Sequence, residues 1–369
     1  MLWSWVIASC AVARCVALES GLGARRLSTS GVSGGARGAF CAGASPSGSS
    51  LPAVVAAACS GRRRTLLLAS GSEDQPRVVE TRAVSTEWEL DCFSRPVLVE
   101  GKKLWELLLV DATGQWREVV VLPASGVNSV AVRKAVEAVI ARAPVKPTVI
   151  RFFRRQMLNM LTIALNGVAS ARPNLRVLPS RSTHALYDWI EERELEVYPA
   201  MEGFAGASPS RFDGAQVVRT ASRLPEGLRG EQYAFVTLPL AEVLKDGSIS
   251  QENVGCGKLI NVNPKIGSPD AMLPGLAILT RRPDALAMSL AATEISGVRA
   301  DPNTRQLLLD LGLEESFLVA KLDDNQRAEA AAFEQYKAAL NGLHFIVVQS
   351  PDDDEVEPAG FWLLRELEV

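Results

Sequence analysis

Histidine is the scarcest resource of this 369-residue sequence: His184 and His344 are the only two. Of six cysteines, Cys10, Cys15, Cys41 and Cys59 fall in the first 72 residues, which leaves Cys92 and Cys256 for everything that follows. So few soft ligands, without metal-ligand spacing, exclude a structural zinc site, and two cysteines cannot make a disulfide framework. A Cys–His dyad is outweighed by the simpler reading of two buried cysteines and two ordinary histidines. Catalytic signatures are missing as well. Gly255-Cys256-Gly257-Lys258 fails the phosphate-loop spacing and reads as a turn, and there is no G-x-S-x-G and no H-E-x-x-H.

The most pointed absence is of acid. From Ala138 to Tyr187 there is no Asp or Glu, yet the window holds Arg142, Lys146, Arg151, Arg154, Arg155, Arg172, Arg176 and Arg181. The formal net charge of -3 hides this. Residues 1–72 carry seven Arg and one Glu, so the rest carries 32 basic and 41 acidic residues. A body of net charge -9 excludes a nonspecific nucleic-acid coat, and any polyanion site must be local. A hydrophobic fraction of 47% with 22% charged residues is that of a folded globular protein long enough for two cores.

The opening MLWSWVIASCAVARCVAL is apolar but short and broken by Arg14, like the core of a secretory signal rather than a membrane span. Residues 20–72 are rich in Ser, Gly and Ala, hold six Arg and no acid, and have the composition of a transit peptide. The pair resembles the two-part presequence of algae with complex plastids, with Phe40 at the junction. The plain alternative is a disordered tail with an apolar start. On the first reading the mature protein begins between Arg64 and Asp74 and works in the plastid stroma, with no membrane span in the mature chain.

Downstream, Glu100-Gly101 and Thr113-Gly114 punctuate three β-rich runs from Thr86 to Pro123, which predicts a meander. Asn128 is placed to cap a helix to Arg142, ended by Pro144 and Pro147. PTVIRFF reads as a strand, RRQMLNMLTIALNGV as a helix from Arg154, NLRVLP as a strand, and Ser182 as the cap of THALYDWIEERE. The order βββαβαβα is ribonuclease-H-like, so the expected class is α+β with two α/β-type domains. The domains are expected at 73–199 and 233–369, joined by a Gly-, Ser-, Pro- and Arg-bearing linker, 200–232. The second half predicts strands at YAFVTLP, KLINVNP, GLAILT, RQLLLDL, FLVAKL, LHFIVVQS and GFWLLRELEV, with helices around DALAMSLAATEI and from Asn325 to Leu340. PDDDEVEPAG reads as a solvated acidic loop.

That fold raises the question of a two-metal nuclease using Asp91 and Asp111. The strand that should deliver a further acid instead offers Arg151 and Arg154, so the nuclease is a weak third choice, and no cofactor or metal is expected. Two readings of the acid-free window remain. In one, Arg151, Arg154, Arg155, Arg172, Arg176 and Arg181, with Gln156, form a basic ridge for RNA, a helix N-terminus aimed at a phosphate and Phe152 or Phe153 stacking on a base. Exchanging Arg154 and Arg155 for Glu then weakens binding and spares stability. In the other, these Arg pair with carboxylates such as Glu191 and Glu192 or those of the second domain.

Trp88-Glu89-Leu90-Asp91, Ser94-Arg95-Pro96, Gly101-Lys102-Lys103 and Trp105-Glu106-Leu107 resemble the start of the Tab-type family of chloroplast and cyanobacterial RNA-binding proteins. The likeness continues through RFFRRQM, Trp189 with the EER after it, YAFVTLP, LPGLAI and LHFIVVQ to Gly360-Phe361-Trp362-Leu363-Leu364, about Thr86 to Leu367. Cys92 precedes Phe93 here, whereas the family has the aromatic first, which puts any role of that thiol in doubt. The resemblance implies a nonenzymatic factor that binds the single-stranded 5′ leader of the message for the B-type reaction-centre polypeptide of photosystem I. It would promote translation and photosystem assembly, alongside other translation or assembly factors. The family's Trp-Leu-Leu falls on Trp362, Leu363 and Leu364, either packed in the second core or offering one face to RNA or a partner. A protein-interaction scaffold without RNA binding is the alternative function.

Overall fold

The computed structural model describes residues 83–206, 220–244, 247–262, 266–351 and 357–367. The expected presequence and most of the acidic loop lie outside the described residues.

Strands β1 (Glu87–Val99), β2 (Lys102–Asp111) and β3 (Arg117–Leu122) form the antiparallel meander. Glu100 and Gly101 turn the first hairpin at φ 51 and 75, the consecutive left-handed pair that a tight two-residue loop requires. Helix α1 (Ser129–Arg142) starts where Asn128 accepts from the backbone N–H groups of Val130 and Ala131. Its last carbonyls, those of Ile140, Ala141 and Ala143, receive the Lys146 ammonium. Strand β4 (Val149–Phe152) then runs parallel to β1, helix α2 (Leu158–Ala169) follows, β5 (Arg176–Pro179) lies parallel to β4, and α3 (His184–Glu192) completes the series. The sheet order β3-β2-β1-β4-β5 is the ribonuclease-H-like arrangement that the element order predicts.

Both faces of this sheet are covered. Trp88, Leu90, Cys92, Leu107, Leu109, Ile150 and Phe152 pack against α1 and α2 on one side. Leu108, Val110 and Phe153 pack on the other against Leu186, Trp189 and Ile190 of α3. Two local expectations are corrected. Helix α2 begins at Leu158, after a single 3-10 turn at Arg155–Met157, while Arg154 is extended (φ -72, ψ 112). Ser182 does not cap α3: its hydroxyl donates to the Ile295 carbonyl, and the N-cap position falls to Thr183, which makes no cap bond.

The second half builds two four-stranded sheets. One has the order β6-β11-β10-β9 from Ser222–Arg223, Glu315–Lys321, Gln306–Leu311 and Ile295–Asp301. The other has the order β13-β12-β8-β7 from Gly360–Arg365, Leu343–Gln349, Met272–Leu279 and Gln232–Pro239. Helices α4 (Pro283–Ala291) and α5 (Asp324–Ala339) contribute to the core between them, α5 opening on a capping box of Asp323 and Gln326. Gly275 is required because a Cβ there would stand 2.3 Å from the Phe345 ring, its register partner on β12.

Three expectations change here. The stretch 200–232 is not simply a connector. Phe204 bridges to Val97, Ala205 donates to the Pro96 carbonyl, and β6 already pairs with β11. Strand β9 begins where the predicted helix around DALAMSLAATEI was to end, and among its described residues KLINVNP makes an isolated bridge, Lys258 to Trp362, in place of a strand.

Candidate nucleic-acid interface

Strand alternation sets the site. Trp88, Leu90 and Cys92 point into the helical core, so Glu87, Glu89 and Asp91 point together to the opposite face of β1. Neighbouring β4 places Arg151 beside Glu89 on that face. The acid absent from the basic window is therefore supplied by the next strand, sequence-distant but one register step away.

Asp91 is fully buried, and the Arg154 guanidinium spans it, Nε to Oδ1 at 2.7 Å and Nη2 to Oδ2 at 2.8 Å. Arg95 adds a contact at 3.0 Å and links Asp91 to Glu106, which also receives Arg193 and the Tyr198 hydroxyl. Burial alone would raise the Asp91 carboxyl, but Arg154 and Arg95 outweigh it and hold it below the usual carboxylate range. Glu89 has no such partner. Burial pushes it up to about 8, against the opposing pull of the Leu186 N–H that it accepts at 2.7 Å and of Arg151.

Arg151, Arg155 and Arg181 turn outward to the second half of the chain. Arg151 takes Glu87 at 2.5 Å and Glu294 at 2.5 Å, and Ser180 joins Glu294. Arg181 reaches Asp310 at 3.3 Å and the Gly312 carbonyl at 3.4 Å; Arg155 meets Glu314 at 3.1 Å. Lys258 of the glycine turn comes back to Glu87, and Arg365 to Asp188. Leu313, in the turn between β10 and β11, enters the Phe153–Trp189 cluster. The window is a seam between the two halves.

The expected exposed ridge is thus corrected at its centre. Arg151, Arg154 and Arg181 are buried and paired, and Phe152 and Phe153 are both core, at 0% and 3% exposure. The Arg154 guanidinium stacks on Phe93, 4.0 Å from the ring centroid, and over Phe153, so no base can take that place. Four expected contacts retain solvent access: Arg155 and Arg172 are half-buried, Gln156 and Arg176 exposed. Arg172 donates to the Val168 carbonyl and Arg142 pairs with Glu118, whereas the Arg176 side chain has no partner among the described residues. Trp362 and Leu364 lie in one core of the second half and Leu363 in the other, so the family tripeptide offers no free face. Sequence reasoning missed Arg95, Glu87 and Glu294; the alternation of acids along β1 was the available signal for Glu87.

The carboxylates of the nuclease reading are also spoken for. Both Asp91 oxygens carry guanidinium bonds, and Asp111 accepts from the backbone N–H groups of Ser85, Thr113 and Trp116 and from the Thr113 hydroxyl. That is the donor set of an ion pair and of a turn, not of a metal site.

Similarity to solved structures is slight. The catalytic core of bovine immunodeficiency virus (BIV) integrase matches 31% of this chain and 70% of its own at 12% identity and a TM-score of 0.24. The HTLV-2 integrase core in its trimeric magnesium complex has 15% identity and a TM-score of 0.24, over 31% of this chain and 68% of its own. Likenesses that low have no functional meaning. The relatives in sequence are far nearer. The chloroplastic protein TAB2 homolog of Arabidopsis thaliana is 32% identical over 288 residues, 76% of this chain and 75% of that protein. Its counterpart in Zea mays is 33% identical over 288 residues, 76% of this chain and 72% of that one. The pattern described as RNA-binding protein Tab2/Atab2 N terminal matches residues 87–193, the sheet that carries the basic window, and the C-terminal domain pattern of the same family matches residues 214–365. The chain belongs to the Tab2/Atab2 family of RNA-binding proteins.

Proposed function

We propose that the protein is a nonenzymatic plastid RNA-binding factor that promotes translation of photosystem reaction-centre mRNA and photosystem assembly in the stroma. The observation that carries this reading is the match of both family patterns, one after the other, to folded parts of a single chain. The presequence reading of residues 1–72, with domains at 73–199 and 233–369, is part of the same proposal. So is the RNA: the single-stranded leader of the message for the B-type reaction-centre polypeptide of photosystem I.

The ion pairs add physical support for a binding module. A ribonuclease-H-like sheet whose central carboxylate is neutralised by two guanidiniums keeps the scaffold and gives up metal chemistry. Arg155, Gln156, Arg172 and Arg176 are the expected contacts still open to a phosphate backbone. Salt-titrated binding of the leader RNA to the full chain is the test. Phosphate contacts give a log–log slope of about -0.7 each for single strands. Leader affinity no higher than that for an unrelated single strand would remove the message-specific part.

A second reading, a protein-interaction scaffold without RNA binding, is favoured by one observation: the cations at the centre of the window are consumed by structural pairs. It predicts no measurable RNA affinity at any salt concentration.

A further inference from the structure

The ion pairs of the seam are not equally well made. Arg154 holds Asp91 at 2.7 and 2.8 Å, the distances of strong charge-assisted bonds. At Asp310 two guanidiniums share one oxygen at longer range, Arg181 at 3.3 Å and Arg299 at 3.6 Å. Arg181 is 4% exposed, and its Nη2 has no hydrogen-bond partner. Arg299 Nε makes no hydrogen bond either. The Ser316 hydroxyl, 3% exposed and opposite Asp310 in the β10–β11 register, is a third buried group without a bond. Lys337, in the same half, pairs with both Glu334 and Glu366, so that neighbouring group holds one carboxylate more than it has cations.

Buried donors without acceptors are costly, and three around one carboxylate mark a place built for a further oxygen ligand. The three donor atoms are themselves buried, and Arg299, one-third exposed as a side chain, is the group that lies between the node and solvent. The charges choose the ligand. At the node itself two guanidiniums face one carboxylate, and the extra carboxylate of the group beyond limits the negative charge the node can take, so a monoanion fits and a dianion would be repelled.

We propose that Arg181, Arg299 and Ser316 form a binding site for a singly charged phosphate group at the junction of the two halves. Its source is either a phosphodiester of bound RNA, which rests on the RNA-binding reading, or free phosphate. Arg181 Nη2 and the Ser316 hydroxyl donate to the phosphate oxygens, Arg299 Nε turns to them from its long contact with Asp310, and Asp310 keeps Arg181 Nη1.

The test uses the full chain at pH 6, where inorganic phosphate is largely monoanionic. Phosphate should raise the thermal midpoint above that in chloride at equal ionic strength. Ser316→Ala and Arg299→Gln should each weaken that effect roughly tenfold or more in apparent affinity, the loss expected for one hydrogen bond to a charged group. A single-stranded RNA of about 16 nucleotides, the upper site size of a single-strand-binding fold, is the second probe. RNA affinity lowered by the same two variants assigns the site to the backbone. A phosphate effect without RNA binding leaves a small-anion site and removes the RNA reading. A parent and variants that respond identically to both probes overturn the site, whether or not RNA binds; ordered water then fills the node.

Discussion

The guanidinium of Arg154 lies along the carboxylate of Asp91 with two bonds of 2.7 and 2.8 Å, both groups almost fully withdrawn from water. An ion pair of this kind adds little over an apolar pair of equal shape, but removing one partner strands the other charge. Arg154→Gln is therefore expected to cost on the order of 3–5 kcal/mol, and Arg154→Glu more. Arg155→Gln, at a pair that is 33% and 54% exposed, should stay within about 1 kcal/mol. Urea midpoints measured side by side check this, and equal midpoints would refute it. A double Glu exchange at 154 and 155 is thus a folding mutant, not a clean probe of RNA contacts.

Arg151 joins β1 to the second half through Glu87 and Glu294. Glu294→Gln should loosen this junction and leave each core intact. Hydrogen exchange should then quicken at β4 and at the start of β9 while β12, inside the second core, keeps its protection. Unchanged exchange at β4 would mean that the pair does not hold the seam.

Glu89 gives the protein an unusual pH response. Its buried carboxyl titrates near 8, well above its value in an unfolded chain, so the folded state binds the proton more tightly. Its stabilising effect is complete below about 4.5 and is lost as pH rises toward 8. Glu89→Gln, which keeps an acceptor for the Leu186 N–H, should match the parent near pH 4 and exceed it in thermal midpoint at pH 8. A variant less stable than the parent at pH 8 would contradict this.

His344 works in the opposite direction. Its Nε2 accepts from the Val298 N–H at 2.9 Å and its Nδ1 lies 2.8 Å from the Gly342 carbonyl, a geometry that needs the neutral ring. Burial, then Lys337, lowers its pKa to about 4. Stability from this group is complete above 6.5 and falls as pH drops through 4, by at most about 1.4 kcal/mol per pH unit. A proton NMR titration should find its ring neutral down to pH 5; a midpoint near 6.5 would place it in water.

Trp362 is 5% exposed in the core between the two second-half sheets. Trp362→Ala should cost about 3–5 kcal/mol, and any loss of binding should follow the unfolded fraction. A variant with normal stability and lost binding would return the tripeptide to a contact role.

Local rules account for what was readable in the sequence. Asn128 caps α1 because its side chain meets N–H groups two and three residues ahead, and Glu100-Gly101 turns because two adjacent residues take positive φ. Where a contact spans the chain, the same reasoning failed. Ser182 looked like a cap, but its hydroxyl bonds a carbonyl 113 residues away. Phe152 and Phe153 could be assigned to opposite faces, yet nothing local said that both faces are covered.

Sequence alone determined the order of strands and helices in the first half, the family, and the fact that fifty consecutive residues contain cations but no acid. What those cations do was decided only in three dimensions. Parallel pairing of β4 with β1 and the seating of the β10–β11 turn bring Glu87, Asp91, Glu294 and Asp310 to them from 63 to 143 positions away. A guanidinium's partner is set by distance and dielectric, and neither is a property of neighbours along a chain.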